Sequence, residues 1–304
     1  MDLIEWLEEE MNDLGKVAQR YRIEHGKSFR LKHHDPGESW KFASKDDAAA
    51  AMEKGLAQLV DLQDQLYAQD RWALLLILQG MDAAGKDGVV KHVLSGVNPQ
   101  GCTVTSFKPP SEQELNHDYL WRAVRRLPER GQIGIFNRSY YEEVLVVRVH
   151  ARLLKGEKVP PRLLTRKVWK HRFQEMAEFE RYLGRNGIVV RKFFLHLSRE
   201  EQRKRFLARL ERPEKNWKFA MADVLEREHW DEYMDCYEET IRHTATPHAP
   251  WYVVPADHKW FSQLVVATAI VDALKELKVG YPKLDASRKK ELQEARRTLE
   301  KEQV

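Results

Sequence analysis

The residues best suited to chemistry lie in one stretch, Gly80-Met81-Asp82-Ala83-Ala84-Gly85-Lys86-Asp87-Gly88, which follows the apolar run Leu74-Leu75-Leu76-Ile77-Leu78-Gln79. The layout is a strand, a G-x-x-x-x-G-K loop and a helix. Glycines at 80 and 85 permit backbone angles that a Cβ resists, so the loop N–H groups can turn inward as an anion nest. A helix opening near Lys86 aims its N-terminal dipole at the same point, and the lysine adds a full charge. Asp87 stands where Ser or Thr is usual, and Asp82 is a second unexpected acid, because a carboxylate repels phosphate. A bound Mg²⁺ resolves both, since it takes one or two carboxylates together with phosphate oxygens. Asp82 and Asp87 are therefore the candidate metal ligands. Gly80, Ala84, Gly85 and Gly88, with Lys86, form the candidate phosphate cradle. The competing reading is a plain glycine turn with Lys86 in solvent. The apolar strand before the loop and the helix after it favour the cradle.

Two further stretches carry charge suited to the same chemistry. In Ile135-Phe136-Asn137-Arg138-Ser139-Tyr140-Tyr141-Glu142-Glu143, Asn137 occupies a strand end where phosphate-loop enzymes commonly place an acidic metal ligand. Its amide oxygen can coordinate a metal or orient a bound water. Arg138 can clamp a phosphoryl group with its planar fork, or pair with Glu142 or Glu143. Residues 198–218 hold Arg199, Arg203, Lys204, Arg205, Arg209, Arg212, Lys215 and Lys218. Such a one-signed cluster fits a lid that closes over phosphates, against the alternative of a solvated helix balanced by Glu200, Glu201 and Glu211. Lys108 follows a second strand. Arg122 and Arg126 lie one helical turn apart on the next helix. Trp217, Trp230, Trp251, Tyr252 and Trp260 read as packing residues rather than base-stacking ones. The adjacent His33 and His34 read as a solvated or phosphate-facing segment, because neighbouring positions do not share a face.

The elements that must position these groups alternate. Helical periodicity covers residues 2–20, 45–70, 86–96, 111–127, 162–185, 222–244 and 259–278, and strands cover 72–79, 102–107, 132–136, 188–197 and 251–255. Ser198-Arg199-Glu200-Glu201 reads as a capping box. Alternation implies an α/β fold: a parallel sheet covered on both faces, with its site at the carboxyl edge. The division is an N-terminal extension (1–45), a catalytic domain (46–281) with a lid at about 198–220, and a charged tail (282–304). The 304 residues carry 32% charged residues but a net charge of only +4, so any polyanion site is local rather than a property of the whole surface. Two cysteines, Cys102 and Cys236, exclude a disulfide scaffold and fit a reducing compartment. The acidic N-terminus is no secretory signal and no run is long enough to span a bilayer, so a cytoplasmic protein is expected.

Taken together, several stretches resemble the family-2 polyphosphate kinases. They are the loop 80–88 with both aspartates, Gly96-Val97-Asn98-Pro99-Gln100-Gly101, Asp118-Tyr119-Leu120-Trp121-Arg122, Phe136-Asn137-Arg138-Ser139-Tyr140-Tyr141-Glu142, Lys192-Phe193-Phe194-Leu195-His196, Pro213-Glu214-Lys215-Asn216-Trp217-Lys218, and Ala249-Pro250-Trp251-Tyr252-Val253-Val254-Pro255-Ala256. The resemblance spans about residues 20–281. Tyr21-Arg22-Ile23 and Phe29-Arg30-Leu31-Lys32 look like members that phosphorylate AMP and ADP. It implies a thymidylate-kinase-like P-loop fold with a helical lid. It also implies Mg²⁺-dependent (or Mn²⁺-dependent) transfer of a terminal phosphoryl from inorganic polyphosphate to ADP or GDP, and to AMP in some members. Homo-oligomers are implied as well, with no nucleic-acid or membrane partner. By this resemblance Asp82, Lys86, Asp87 and Arg138 are catalytic. Arg203, Arg205, Arg209 and Lys218 match the family's lid and join the loop in binding substrate; Lys108, Arg122 and Asn137 join them on their own positions in the sequence. Two rivals stay open: an ATP-dependent nucleoside-monophosphate kinase on the same fold, and a non-catalytic phosphate-loop protein that binds nucleotide or nucleic acid.

Overall fold

The structure, a computed structural model, describes residues 15–217 and 219–302. Most of the helix expected over 2–20 lies outside them, as does Lys218. The core is a six-stranded sheet ordered β1-β6-β5-β2-β4-β3. Its strands are β1 (Arg22–Ile23), β2 (Ala73–Gln79), β3 (Cys102–Ser106), β4 (Ile133–Asn137), β5 (Ile188–His196) and β6 (Trp251–Pro255). Strands β2 to β6 pair in parallel, and β1 pairs antiparallel with β6. The described helices of eight residues or more are α1 (Ala49–Gln69), α2 (Lys86–Val93), α3 (Val168–Arg185), α4 (Arg199–Leu210), α5 (Trp230–Thr244), α6 (Lys259–Glu276) and α7 (Ala286–Leu299).

Strand β2 is buried along its whole length, which explains why it reads as a continuous apolar run. Its side chains alternate between two cores. Leu74, Leu76 and Leu78 join the face covered by α1, α2 and α6. Leu75 and Ile77 join the face covered by α3 and α5. Because β2 sits between β4 and β5, the chain leaves its carboxyl end where the two halves of the sheet diverge. Such switch points form crevices. A buried ion pair is built into the α3 face. Lys192 and Glu180 are fully buried 2.5 Å apart, and Lys192 also donates to the Thr244 carbonyl at 2.8 Å. Tyr140 and Tyr141 donate to the same glutamate at 2.8 and 2.7 Å, so the buried pair is satisfied and ties α3 to β5.

Several elements differ from their sequence-based expectation for local reasons. The stretch 21–45, read as irregular, supplies β1 and buries Phe29, Leu31 and Phe42. The helix expected over 111–127 starts with a Ser111/Glu114 capping box but breaks into Glu112–Leu115 and Trp121–Val124. Between them the Asp118 carboxylate accepts from Leu120 N at 2.9 Å, a side-chain turn that competes with the helical ladder. The helix expected from 162 begins at Val168, and the one expected from 222 is interrupted by a 3₁₀ turn over Glu226–His229. At Ser198 only half the expected box forms. The hydroxyl accepts from Glu201 N, but the Glu201 carboxylate turns to Arg205 at 2.9 Å.

The N-terminal stretch lies over the carboxyl end of β5. Asp257 N donates to Pro36 O at 3.0 Å. The His196 Nδ1 is buried with no hydrogen-bond partner among the described residues. Burial pulls the His196 imidazole down to about 4, with His34 pushing the same way against Asp257 and Asp35. Burial and His33 also lower His34, against Glu38. A lowered histidine favours the folded state while it is neutral. This stability is therefore complete above the unfolded histidine value near 6.5 and is lost as pH falls from there through about 4. Melting temperature measured between pH 7 and 4 should fall, and His196→Gln should flatten that part of the curve.

Candidate active site

The loop after β2 is shaped by its glycines and by side chains that reach it from another element. Gly80 has φ +157°, and a Cβ there would lie 2.9 Å from the Leu195 carbonyl oxygen. Ala83 is left-handed at φ +62° despite its Cβ, a strain on the order of 1–3 kcal/mol. The carbonyls around it are held from α4. Gln202 Nε2 donates to Asp82 O at 2.8 Å, and Arg205 Nη1 donates to Ala83 O and Ala84 O at 2.9 and 3.2 Å. Arg205 Nη2 donates to Ala256 O and Asp257 O at 2.6 and 2.9 Å, and its Nε to Glu201. All five guanidinium N–H groups are thereby engaged. Holding the Asp82 and Ala84 carbonyls from α4 turns the N–H groups of Ala83 and Gly85 the opposite way, as a nest requires, while Ala84 N donates within the loop to Met81 O at 3.1 Å.

Lys86 is buried inside this loop and donates to Gly80 O at 2.6 Å and Met81 O at 3.2 Å. Burial pulls its ammonium below the usual lysine range, opposed chiefly by Asp82. From the end of β4, Arg138 donates to Asp82 Oδ1 at 2.8 Å and lies 3.8 Å from Glu142. Its own backbone is left-handed at φ +63°, with its N–H on Leu78 O. Burial weakens the Arg138 charge, but Glu142 and Asp82 outweigh it and keep the guanidinium firmly protonated. Burial raises the Glu142 carboxyl, against Arg138 and Lys86. Asn137 Nδ2 donates to Asp87 Oδ1 at 2.8 Å. A carboxylate at position 137 would instead repel Asp87, which accounts for an amide here.

These groups open onto a cavity of about 780 Å³ at the carboxyl edge. Lys86, Lys108, Arg138, Arg205, Arg209, Arg212, Lys215 and Lys259 line it, against the acids Asp82, Asp87 and Asp223. The arrangement concentrates cations around two carboxylates, so it can hold polyanions with a hard metal between them. Residues 42–281 match the family model described as polyphosphate kinase 2 (PPK2). The chain belongs to the polyphosphate kinase 2 family. It is 52% identical over 259 residues to an ADP-polyphosphate phosphotransferase of Rhodopseudomonas palustris, covering 85% of this chain and 90% of that protein. It is 42% identical over 273 residues to an AMP/ADP-polyphosphate phosphotransferase of Meiothermus ruber, covering 90% and 98%. Its fold is similar to the crystal structure of Polyphosphate Kinase 2 from Arthrobacter aurescens TC1, with a TM-score of 0.82 at 37% identity over 91% of this chain and 95% of that one.

In this PPK2 chain most of the expected residues meet at the cavity: Asp82, Gly85, Lys86, Asp87, Gly88, Lys108, Asn137, Arg138, Arg205 and Arg209 all line it. Gly80 and Ala84 shape the loop from behind. Arg122 is placed differently. It donates to the Lys108 carbonyl at 2.6 Å and stacks on Phe107 at 4.9 Å, so it braces the segment that carries Lys108. Arg203 is exposed and paired with Glu200. Trp217 is not buried: it is 78% exposed at the cavity mouth, whereas Trp230 and Trp251 are buried as expected. The sequence reading missed Gln202, Asp223 and Lys259, while the pairing of Arg138 with Glu142 that it held open is present beside the Asp82 contact. Gln202 carried a signal, three residues before Arg205 on the same helix face. Asp223 and Lys259 carried none, because only the fold brings them to this edge.

Arg205→Met leaves four carbonyls that shared its donors. It should lower stability by about 2–4 kcal/mol, read as a shift in the urea midpoint at unchanged slope. A midpoint equal to wild type would show that the loop keeps its shape unaided.

Proposed function

We propose that this chain transfers the terminal phosphoryl group of inorganic polyphosphate to a nucleoside diphosphate, reversibly and with Mg²⁺. The observation that carries the reading is the cavity's charge pattern: cations from the loop, β4, α4 and α6 surround two carboxylates on one loop. Donor and acceptor are both polyanions, so in-line approach needs cations on both sides of the junction. The relatives named above are ADP- and AMP/ADP-polyphosphate phosphotransferases. That supports ADP as the first acceptor, with GDP alongside it and AMP as a further one.

Asp82 and Asp87 suit Mg²⁺, which asks for one or two protein carboxylates and takes its other oxygens from phosphate and water. Among the described residues no group of three or more His, Cys, Asp and Glu is placed to hold a metal. Mn²⁺ fits the same oxygen donors. When bound, the metal would neutralise charge between the phosphates. The chain's own groups do the rest. Loop N–H groups and Lys86 hold the phosphoryl centre. Arg138 leaves Asp82 for the acceptor phosphate or bridges the two. Arg209, Arg212, Lys215 and Lys259 hold the donor chain, with residues at about 198–220 acting as the lid. No described helix is long and apolar enough to cross a membrane. A cytoplasmic homo-oligomer is part of the same reading.

Asp82→Asn and Lys86→Met should each lower kcat for ATP formation from ADP and polyphosphate by about 10²–10³, the usual cost of removing a group that stabilises transition-state charge. The assay is initial rate at saturating Mg²⁺. Activity within twofold of wild type in either variant would remove that residue from the mechanism.

A further inference from the structure

The basic arm leaves the sheet on α4 and returns through Met221–Leu225 and Glu226–His229, and a single buried side chain links both halves to the loop. Gln202 is 1% exposed and uses both ends of its amide. Its Nε2 donates to Asp82 O at 2.8 Å, and its Oε1 accepts from Arg227 Nη1 at 2.6 Å. Arg227 belongs to the 3₁₀ turn Glu226–His229, which ends the returning half. Arg227 also donates to Arg199 O at 3.1 Å, and Arg199 donates back to Arg227 O at 3.4 Å, so the two halves are clasped across the base of the arm. The amide direction is fixed by these partners: an acceptor faces Arg227, so the donor must face the loop.

The peptide that Gln202 holds is the one between Asp82 and left-handed Ala83. Gln202 holds that peptide against the rotation that would relieve the strain at Ala83, and so fixes the backbone on which the Asp82 side chain is mounted. The carboxylate of Asp82 is the one paired with Arg138 at 2.8 Å. We infer that Gln202 is a positioning residue which, through Arg227, lets the seating of the returning arm set the aim of the Asp82 carboxylate. The arm then contributes more than cations: it reports its own position to the residue assigned to metal and acceptor. This rests on the phosphotransfer reading for its catalytic consequence, but the coupling itself does not.

The test uses the full chain and the variants Gln202→Met, Arg227→Met and Arg227→Lys. Arg227→Met breaks the relay without touching the loop, and thermal melting checks that each variant is folded. Mn²⁺ binding in the presence of ADP, followed by electron paramagnetic resonance, reads the aim of Asp82 without turnover. Both methionine variants should bind Mn²⁺ about fivefold more weakly and lose about tenfold in kcat, with KM for ADP and polyphosphate within twofold, as expected for misaim rather than lost binding. Arg227→Lys should restore both values to within twofold of wild type. Wild-type Mn²⁺ affinity in Arg227→Met would overturn the relay, even if Gln202→Met were impaired. If the wild-type chain makes no ATP from polyphosphate, the phosphotransfer reading fails, while the Mn²⁺ comparison still decides the relay.

Discussion

The site depends on carbonyls that point the wrong way for a phosphate and are held there. A peptide's C=O and N–H face opposite directions, so a loop that presents N–H groups to an anion must turn its carbonyls into the protein. Buried carbonyls without donors are costly. Here the donors come from α4: Gln202 serves Asp82 O, and Arg205 serves Ala83 O and Ala84 O. Arg205 also reaches the end of β6. One buried side chain thus fixes the loop, the base of the arm and the sheet edge in a single arrangement. It offsets the left-handed strain at Ala83, which glycine would have avoided.

The same economy governs charge. Lys86 is deep enough for burial to weaken its ammonium, yet it sits among Gly80 O, Met81 O and Asp82. Arg138 lies between Asp82 and Glu142. Cations and acids alternate through the centre, so Lys86 and Arg138 each face an opposite charge. Phosphate oxygens can replace the carbonyls and carboxylates that now serve the cations. Toward α4 and α6 the alternation gives way to cation excess, with Arg209, Arg212, Lys215 and Lys259 against Asp223. A long polyanion fits that end, and a compact, metal-bearing junction fits the centre.

Much of this was legible in the sequence because it is local. The glycine spacing, the two aspartates and the apolar strand β2 announce the loop, and strand–helix alternation gives the sheet. Asn137 and Arg138 are found by their position after a strand. What could not be read are relations between distant elements. Arg205 looks like one more cation in a basic helix; only packing shows that its donors are taken by the loop. Arg122 looked like a substrate ligand, but the fold puts the Lys108 carbonyl within its reach. The stretch 21–45 lacked periodicity, so its role as β1 and as cover for the sheet edge depends on β6 being there to pair with. Trp217 was read by residue type, and its exposure follows from where residues 213–217 are carried over the cavity mouth.

The central claim is that polyphosphate, not a second nucleotide, is the phosphoryl donor. ³¹P magnetic resonance of the chain with ADP, Mg²⁺ and long-chain polyphosphate decides it. The expected result is ATP formed without AMP, with the interior polyphosphate signal falling one for one with new ATP. ATP accompanied by equal AMP, with the interior signal unchanged, would mean that ADP is the donor and would contradict the reading.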